Sequence, residues 1–534
     1  METETPAGAC GFRRYITTAI PYVNAAPHLG FALEMVQADT LARFYRLCGD
    51  DVRFQTGTDE NSIKNVEAAD RAGVPVSQLV ERNAARFLAL KESLDLSFDD
   101  FVRTSTDMRH RRGAERLWQA CCESGDIYKR PYRGLYCTGC EQFYTPSELC
   151  EGRCPEHGTV PDEIEEENWF FRLSRYGRQL RQLYAGGEIE IVPHSRRNEV
   201  LAWIEDEPED FSVSRSASRA RGWGIPVPGD PDQAIYVWFD ALGNYITSLG
   251  YGTDEALLSR FWTEATSREH VIGKGITRFH AVYWPAILLS AGLPVPTRIL
   301  VHGYVTVEGR KIGKSAGNAI DPFALAEEFG ADALRYYLLR RIRSTGDADF
   351  SRERFRQAYE SELAGQLGNL AHRVLRMVER YCGGVVPAPP ERLLEEDRLL
   401  RAAAGLPEAV AGHLRAFAFD RALEAIWSFV ADANRYVAEE EPWALAKQAA
   451  AASGPEARNV FTAKLHGCLF NLAAALQTIA HAVAPLLPGS SLRLARKLGK
   501  SGSCHWPEPP SALTGTRVEA GVPLFPMANP DAAD

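Results

Sequence analysis

Two short stretches of the sequence carry side chains suited to binding a polyphosphate. His28 stands before Gly30 in "PHLG", at the predicted start of a helix, where free backbone N–H groups and the helix dipole favour an anion. Gly30 would let that anion approach the backbone closely. Lys311 and Lys314 lie three residues apart in "GRKIGKSAGN", so both can reach one polyphosphate and stabilise charge that develops as pyrophosphate leaves. For each stretch alone, a helix cap or a solvated basic turn is the simpler interpretation.

A third stretch, "YCTGCEQFYTPSELCEGRCPEHG", has the spacing of a zinc-binding module. Cys137 and Cys140 form a Cys-x2-Cys pair, and Cys154 and His157 form a Cys-x2-His pair. Cys150 is the alternative to His157, although its four-residue step to Cys154 makes a poorer knuckle. The eleven cysteines of the chain lack the density of a secreted disulfide scaffold, so a disulfide is the weaker interpretation. Four protein ligands leave no open position, and the zinc is therefore expected to be structural.

The stretch that contains His28 lies in a predicted strand–helix–strand unit. Segments 13–20 and 51–59 have the pattern of buried strands, and they flank a helix over residues 30–47. Such a unit favours a parallel sheet that binds its ligands at the carboxyl ends of the strands. The helix presents one apolar stripe, formed by Leu33, Val36, Thr40, Phe44 and Leu47.

The rest of the chain divides into an insertion, a return of the sheet and a helical end. From about Trp118 to Gly229, cysteine pairs, acidic runs and turn residues replace regular periodicity, and strand–turn–helix patterns then resume up to Asn318. Beyond about Asp321 the pattern is helical almost throughout. We predict an α/β Rossmann-type parallel-sheet catalytic domain with a zinc-bearing insertion, plus an all-α C-terminal bundle. The predicted boundaries are 12–117 and 231–320 for the catalytic halves, 118–230 for the insertion, 321–375 for a helical stem, 376–515 for the bundle and 516–534 for a tail.

Charge and hydropathy restrict the class of protein. The formal net charge is −10, so a nucleic-acid partner must be bound by local basic patches and not by the overall field. No apolar run approaches the ~18 residues of a membrane span, and no signal-peptide pattern opens the chain. We therefore expect a cytoplasmic protein without a membrane partner.

Together, "PHLG" and "KIGKS" resemble the HIGH and KMSKS signatures of class I aminoacyl-tRNA synthetases. Four further stretches, "AIPYVNAAPHLG", "TGTDE", "YVWFDALGNYI" and "NRYVAEEEPWALAK", resemble the methionyl-tRNA synthetases, in that family's order and over nearly the whole chain. The resemblance implies ATP-dependent activation of L-methionine to methionyl-adenylate. It also implies transfer to the 3′ end of methionine tRNA, with initiator and elongator tRNAs as partners.

The resemblance assigns residues to ATP and to methionine. His28, Lys311 and Lys314 would be the catalytic groups that contact ATP, with Gly30 and Ser315 beside them, and Mg²⁺ would bridge the phosphates. The methionine-binding positions would be Ile20, Tyr22, Asp59, Trp238, Ala241, Tyr245, Ile276, Phe279, His280 and Trp284. Asp59 would bind the α-ammonium, and aromatic edges with polar atoms of Tyr22 and His280 would surround the sulfur.

The resemblance also assigns metal ligands and tRNA contacts. Its zinc ligands would be Cys137, Cys140, Cys154 and His157. Residues 321–375 would contact the tRNA stem, and residues 376–515 would bind the anticodon. The anticodon-binding residues would be Asn369, Arg373, Pro442 and Trp443. Asn369 and Arg373 would bond base edges and Trp443 would stack on a splayed base, with a bundle-core aromatic as the alternative for Trp443.

Several positions around the ATP site depart from the family pattern. Phe31 stands where the signature has its second histidine, Gly275 replaces an acidic residue near the ribose, and Gly313 replaces a small hydroxyl residue in the lysine loop. "TDENS" stands where "TDEHG" is common. These departures leave a divergent paralogue, with weak charging or inhibitor tolerance, as an alternative function.

Another class I synthetase is the other alternative. The enzymes for isoleucine, valine and leucine carry a large editing insert, whereas this insertion of about 110 residues has room for a zinc module and little more. Because no appended domain of the kind that dimerises some family members follows the bundle, we expect a monomer.

Overall fold

The structure is a computed structural model that describes residues 11–137, 142–144, 146–155, 158–205, 208–307, 309–312, 320–388, 397–500 and 513–526. Contacts between residues divide the chain into two compact units. Unit 1 comprises Met1–Pro27, Asp51–Ala89 and Phe98–His302, and unit 2 comprises His28–Asp50, Leu90–Ser97 and Gly303–Asp534.

Strands occur throughout the first two thirds of the chain. In chain order the described strands are β1 (Arg13–Thr18), β2 (Asp51–Thr58), β3 (Asp100–Arg103), β4 (Ile127–Cys137), β5 (Gln142–Tyr144), β6 (Asp162–Phe171), β7 (Glu190–Val192), β8 (Phe211–Ser212), β9 (Ser214–Ser216), β10 (Pro226–Val227), β11 (Asp230–Ile235), β12 (Ser267–Gly273), β13 (Arg298–His302), β14 (Val305–Val307), β15 (Arg310–Lys311) and β16 (Ala348–Phe350).

Helices connect the strands and make up most of the C-terminal part. The described α-helices are α1 (Leu29–Leu47), α2 (Ile63–Ala72), α3 (Val76–Ser93), α4 (Met108–Glu123), α5 (Gly177–Ala185), α6 (His194–Glu205), α7 (Val237–Thr247), α8 (Ala256–Leu258), α9 (Trp284–Ser290), α10 (Pro322–Phe329), α11 (Ala331–Arg340), α12 (Arg352–Ala358), α13 (Asn369–Cys382), α14 (Arg398–Arg415), α15 (Phe419–Glu440), α16 (Pro442–Ala451), α17 (Pro455–Val483) and α18 (Pro488–Lys497).

A parallel sheet forms the centre of unit 1. Its described strands follow the order β3-β2-β1-β12-β13-β7, and each neighbouring pair is parallel. The order reverses between β1 and β12, the place where open α/β sheets bind ligands beyond the carboxyl ends of their strands. The predicted strand–helix–strand unit and parallel sheet are confirmed by β1, α1 and β2.

The predicted insertion contains antiparallel strands. Four described strands pair in the order β5-β4-β6-β8. Three more pair in the order β10-β11-β9, of which β11 extends beyond the predicted boundary at residue 230. One strand from the same interval behaves differently, because β7 pairs in parallel with β13 at the edge of the central sheet. Three residues are too few to show a period, so the sequence pattern did not separate β7 from the insertion.

The helices of unit 2 confirm the predicted helical C-terminal part. Within this unit α14, α15 and α17 pack against one another, and α1 packs against α11 and α14. Helix α1 is buried on almost every side, including Glu34, Gln37 and Asp39, whereas the sequence pattern indicated a single apolar stripe. The polar residues at the other buried positions gave no sign of burial in the sequence, because the residues they bond to lie far along the chain. None of the described helices is long and apolar enough to cross a membrane.

Candidate active site

All ten predicted methionine-binding residues lie in unit 1, and we call this set the aromatic pocket. Ile20 and Tyr22 follow β1, and Asp59 follows β2. Trp238, Ala241 and Tyr245 are spaced by three and four residues, which places them along one face of α7. The last four members, Ile276, Phe279, His280 and Trp284, lie between the end of β12 and the start of α9. The carboxyl ends of neighbouring strands thus supply one part of the pocket, and helical segments supply the other.

Stacked rings form one wall of the aromatic pocket. The rings of Trp238 and Phe279 lie 3.8 Å apart between centroids and are nearly parallel, with an interplanar angle of 6°. Tyr22 meets Trp238 edge to face at 6.3 Å, and the Lys64 ammonium lies 4.5 Å from the centroid of Tyr22. The buried indole N–H of Trp238 has no acceptor among the described residues. The stacked rings thus give this wall an apolar surface, and the indole N–H of Trp238 is available as a hydrogen-bond donor.

Hydrogen bonds define the protonation of a second wall, formed by Tyr245 and His280. His280 Nδ1 lies 3.0 Å from the carbonyl oxygen of Ile276, which can only accept, so Nδ1 carries the proton. His280 Nε2 is then an acceptor, and Tyr245 Oη, 2.7 Å away, donates to it. Burial lowers the pKa of His280 to about 4. Both polar groups of this wall are therefore neutral near pH 7.

Asp59 is a buried carboxylate at the end of β2. Its side chain is 2% exposed, and its backbone N–H donates to the carbonyl oxygen of Pro21 at 2.9 Å. Its Oδ1 accepts a hydrogen bond of 3.3 Å from the backbone N–H of Asn61. The amide of Asn61 donates in turn to Asp240 Oδ2 at 2.7 Å, and Asp240 Oδ1 bonds to His110. Hydrogen bonds through Asn61 thus connect the Asp59 carboxylate to the buried pair of Asp240 and His110.

His28 belongs to unit 2 and caps the N-terminus of α1. Its Nδ1 accepts a hydrogen bond of 3.1 Å from the backbone N–H of Gly30. A Cβ at Gly30 would lie only 3.0 Å from His28 Cε1, so the glycine makes room for the ring. Burial lowers the pKa of His28, which favours the neutral ring. With Nδ1 as the acceptor, the proton of that ring lies on Nε2, which keeps a donor for a ligand at the helix N-terminus.

Only part of the lysine loop falls within the described residues. Lys311 is the second residue of β15, and its backbone pairs with that of Thr306 in β14. Lys314 and Ser315 lie outside the described residues, as does Gly313. Their predicted ATP contacts stay predictions.

Besides the "TDENS" stretch, which includes Asn61, two departures from the family pattern lie in the described residues. Phe31 is buried in α1, where its backbone N–H donates to the carbonyl oxygen of His28. Gly275 is exposed in a short turn after β12. Phe31 is thus part of the packed interior of unit 2.

Two of the four predicted zinc ligands, Cys140 and His157, lie outside the described residues. The other two, Cys137 and Cys154, are both 1% exposed and share one small cluster with Tyr144. The described residues contain no group of three or more His, Cys, Asp or Glu side chains that could hold a metal ion. The zinc site therefore stays a prediction, although two buried thiols in one cluster fit it.

The third described cysteine of this stretch differs from the other two. Cys150 is exposed, whereas Cys137 and Cys154 are buried, and none of the described cysteines forms a disulfide. After Cys154 the chain turns back, so that the N–H of Gly158 donates to its carbonyl oxygen at 2.8 Å. Cys150 is therefore a poorer match to a closed zinc site than the buried pair.

The predicted anticodon-binding residues lie on α13 and α16, which are in contact within unit 2. Asn369 and Arg373 are one helical turn apart on α13, and neither side chain forms a hydrogen bond or an ion pair with any described residue. Glu441 separates α15 from α16 by adopting the left-handed conformation, with φ of 43°. Pro442 is buried at the start of α16. Trp443 is 42% exposed, which contradicts the alternative that it is a bundle-core aromatic.

Comparisons with known proteins show the family of this chain. A family model described as tRNA synthetases class I (M) matches residues 14–163 and 145–375. The methionine–tRNA ligase of Mycobacterium leprae is 43% identical over 493 residues, which cover 91% of this chain and 89% of the relative. This chain belongs to the methionyl-tRNA synthetases. Its enzyme class is methionine–tRNA ligase, and the alternative of another class I synthetase is excluded.

Solved structures place the fold of this synthetase in the same family. The methionyl-tRNA synthetase of Mycobacterium tuberculosis in complex with methionyl-adenylate is 40% identical, with a TM-score of 0.88 over 96% of this chain and 99% of that chain. The free form of that enzyme is 37% identical, with a TM-score of 0.84 over 98% of this chain and 99% of that chain.

Sequence reasoning missed the polar residues that stand behind the aromatic pocket of this synthetase. His110 and Asp240 are bonded to each other across 130 positions of sequence, and Thr17 and His270 are bonded across 253. The histidine of "HVIGKG" was visible as a polar residue inside an apolar strand pattern. That signal identified a buried histidine but not its partners.

Proposed function

We propose that this synthetase activates L-methionine with ATP and then transfers the methionyl group to methionine tRNA. In the first step a carboxylate oxygen of methionine forms a bond to the α-phosphorus of ATP, and the bond from that phosphorus to the bridging oxygen breaks as pyrophosphate leaves. In the second step a terminal ribose hydroxyl of the tRNA attacks the methionyl carbonyl carbon, loses its proton, and AMP leaves. No protein nucleophile is needed, so positioning and electrostatics supply the rate.

One observation carries this proposal: the aromatic pocket is neutral where a thioether would lie and has a carboxylate where an ammonium would lie. Tyr245 and His280 bond to each other as neutral groups, so no charge has to be desolvated against the sulfur. Contacts between sulfur and ring edges contribute about 0.3–1.5 kcal/mol each. Asp59, buried after β2, is the group proposed to bind the α-ammonium.

The proposed ATP contacts come from His28 and the lysine loop. As the cap of α1, His28 keeps its Nε2–H as a donor for a phosphate oxygen. Lys311 and Lys314 are proposed to bind the departing pyrophosphate, with Ser315 and Gly30 beside the nucleotide. Mg²⁺, carried with ATP, would neutralise phosphate charge.

The proposed tRNA contacts lie on α13 and α16. Asn369 and Arg373 would bond the edges of anticodon bases, and Trp443, exposed at the start of α16 after Pro442, would stack on one of them. Such stacking contributes about 1–3 kcal/mol per base. Both initiator and elongator methionine tRNAs are proposed substrates. The predicted localisation is the cytoplasm, and the predicted oligomeric state is a monomer.

A structural zinc ion is the proposed cofactor of the insertion. Cys137 and Cys154 supply two buried thiols in one cluster, and Cys140 with His157 would complete a tetrahedral set. A closed set of four ligands supplies folding free energy and no open position for a substrate. Metal analysis of the purified protein should find one zinc per chain.

Methionine-dependent exchange of labelled pyrophosphate into ATP tests the first step, and charging of initiator and elongator tRNAs tests the second. We expect exchange with methionine and charging of both tRNAs. Exchange without charging would favour the divergent paralogue. An absence of exchange with methionine would contradict the proposed function.

Two variants of His28 separate its capping role from its role with ATP. Asn caps a helix as well as His28 does but has no group in the place of Nε2–H, whereas Ala loses both functions. We expect H28N to keep the thermal stability of the parent and to slow exchange by roughly 10²–10³. H28A should lose stability as well. An H28N variant with full exchange activity would limit His28 to the role of a cap.

A further inference from the structure

His270 is a buried histidine that the proposed chemistry does not use. It lies in β12 and is 1% exposed. Its ring centroid is 4.3 Å from that of Tyr245 and 6.1 Å from that of His280, both members of the aromatic pocket. Its position is therefore directly behind the wall that faces the proposed thioether.

The two ring nitrogens of His270 have different partners. Nδ1 lies 2.6 Å from Thr17 Oγ1, and Nε2 accepts a hydrogen bond of 3.2 Å from the indole N–H of Trp284. An indole N–H can only donate, so Nε2 cannot carry a proton. The proton of the neutral ring must then lie on Nδ1, which donates to Thr17. The indole N–H thus selects this tautomer, and Thr17 stabilises it by accepting from Nδ1.

The surroundings of His270 favour the neutral ring. Burial, and then the neighbouring His280 and Arg268, lower the pKa of His270 well below its ordinary value. Tyr245 and Trp262 also face the ring, and both are neutral. A charged ring would place a second proton on Nε2, directly against the indole N–H of Trp284.

Trp284 needs this acceptor because it has no access to water. Its side chain is fully buried, and its ring contacts Tyr245 at 6.0 Å and Trp262 at 6.1 Å between centroids. Apolar contacts alone would allow the indole to tilt, whereas the hydrogen bond to His270 sets the orientation of the ring plane. A buried donor without an acceptor also costs free energy.

We propose that His270 is a positioning residue that holds the indole of Trp284 through a tautomer stabilised by Thr17, and thereby shapes the binding site for the side chain of methionine. This inference rests on the proposed function of the aromatic pocket. It predicts that loss of the acceptor weakens methionine binding and leaves ATP binding unchanged. Neither His270 nor Thr17 has to touch the substrate.

A matched pair of amide variants tests the acceptor. Gln can place an oxygen near the position of Nε2, so H270Q keeps an acceptor for Trp284, whereas the amide of Asn reaches only the position of Nδ1. We expect H270N to raise KM for methionine at least tenfold and H270Q to raise it less than threefold. KM for ATP should stay within twofold of the parent in both. Equal effects of the two variants, or an equal rise in KM for ATP, would overturn the proposal.

The effect must also depend on the indole N–H. In a W284F background there is no donor to hold, so H270N should raise KM for methionine less than twofold further. An additional tenfold rise in that background would show that His270 acts by another route and would overturn the proposal. Titration calorimetry with methionine alone should reproduce the same pattern in Kd, which separates binding from catalysis.

Variants of Thr17 test the tautomer if H270N does not fold. T17V removes the hydroxyl with little change of volume and releases the Nδ1–H, so Nε2 can become protonated in the neutral ring. We expect T17V to raise KM for methionine at least threefold and T17S to leave it unchanged. Identical KM values for T17V, T17S and the parent would overturn the proposal. If the parent itself shows no exchange with methionine, the proposed function fails, whereas an active parent with indifferent variants contradicts only the role of His270.

Discussion

Two buried polar networks of this synthetase have opposite electrostatics. In unit 1, His280 of the aromatic pocket and the neighbouring His270 are neutral because burial lowers the pKa of each ring. In unit 2, Asp39 and Arg335 form an ion pair of 2.7 Å although both side chains are 0% exposed. Burial alone would raise the pKa of Asp39, but Arg335 and then Arg43 outweigh it and lower that pKa. The same burial therefore removes charge in one network and keeps it in the other.

The partners of the ion pair explain what the charges do. Arg335 Nε donates to the carbonyl oxygen of Leu486 at 2.8 Å, and Nη2 donates to that of Pro485 at 3.2 Å. Asp39 Oδ1 accepts from the backbone N–H of Ser97 at 2.6 Å. One ion pair thus joins α1, α11 and the turn after α17, and it holds the helix that His28 caps. The network proposed to bind methionine thus consists of neutral hydrogen bonds, whereas the network that joins these helices contains an ion pair.

Removal of Arg335 should have the largest effect on stability. R335M leaves Asp39 as a buried carboxylate with one of its two guanidinium partners lost, and breaking a buried pair in this way costs about 3–5 kcal/mol. We expect hydrogen exchange of peptides from α1 and α11 to accelerate accordingly. Peptides from β12 and α7 should change far less, because their network is neutral and belongs to unit 1.

The double variant R335M/D39L is the control for this prediction. Replacing both charges with apolar groups of similar size removes the unpaired carboxylate, and such replacements are often neutral. Recovery of slow exchange in the double variant would assign the loss to the stranded charge. A loss of less than about 1 kcal/mol in R335M would mean that the pair contributes no more than a surface ion pair.

Acid should weaken the two networks in separate pH ranges. The unfolded chain protonates His280 near its ordinary pKa of about 6.5, whereas the folded chain does so only near about 4, so the stability of this network falls as pH drops between those values. The loss amounts to about 3 kcal/mol at 1.36 kcal/mol per pKa unit. Asp39 has a lowered pKa, so its contribution is complete above about 3.9 and is lost only below that.

Hydrogen exchange at pH 7 and pH 4.5, corrected for intrinsic rates, measures this difference. Peptides from β12 and α7 should lose protection at pH 4.5, whereas peptides from α1 and α11 should keep theirs. The variant H280Q should remove the part of the pH dependence that His280 supplies and leave the part that His270 supplies, because burial lowers the pKa of His270 as well. Equal losses in both sets of peptides would contradict the assignment of neutral and charged networks.

Loss of a single neutral hydrogen bond should have a smaller effect. Y245F removes the donor to His280 Nε2 and leaves a buried acceptor unsatisfied, at a cost of about 1–3 kcal/mol. We expect a matching rise in KM for methionine, measured by pyrophosphate exchange. Y251F is the control, since the hydroxyl of buried Tyr251 has no hydrogen-bond partner among the described residues. Equal effects of the two variants would contradict a specific role for the Tyr245–His280 bond.

The sequence predicted the parts of both networks that follow from local pattern. The strand–helix–strand unit was visible because buried strands and a capped helix have local signatures, and the spacing of Trp238, Ala241 and Tyr245 on α7 is a helical repeat. The bond from His270 to Thr17 and the pair of Asp39 with Arg335 were not predictable. Each joins residues hundreds of positions apart, and a buried polar residue does not reveal its partner.

An exposed ion pair should show the smallest effect and so separate charge from burial. Arg111 and Glu115 form an i, i+4 pair of 3.2 Å on α4, chemically the same type of contact as Arg335 with Asp39, but 52% and 35% exposed. Water solvates both partners, so R111Q should cost less than about 0.5 kcal/mol. Chemical denaturation at low and high salt measures this loss of free energy of unfolding. High salt should abolish the loss, because it screens exposed charges. If R111Q lowered the free energy of unfolding as much as R335M does, the loss would come from the missing ion pair itself. It could then not be attributed to a buried charge that is left unpaired.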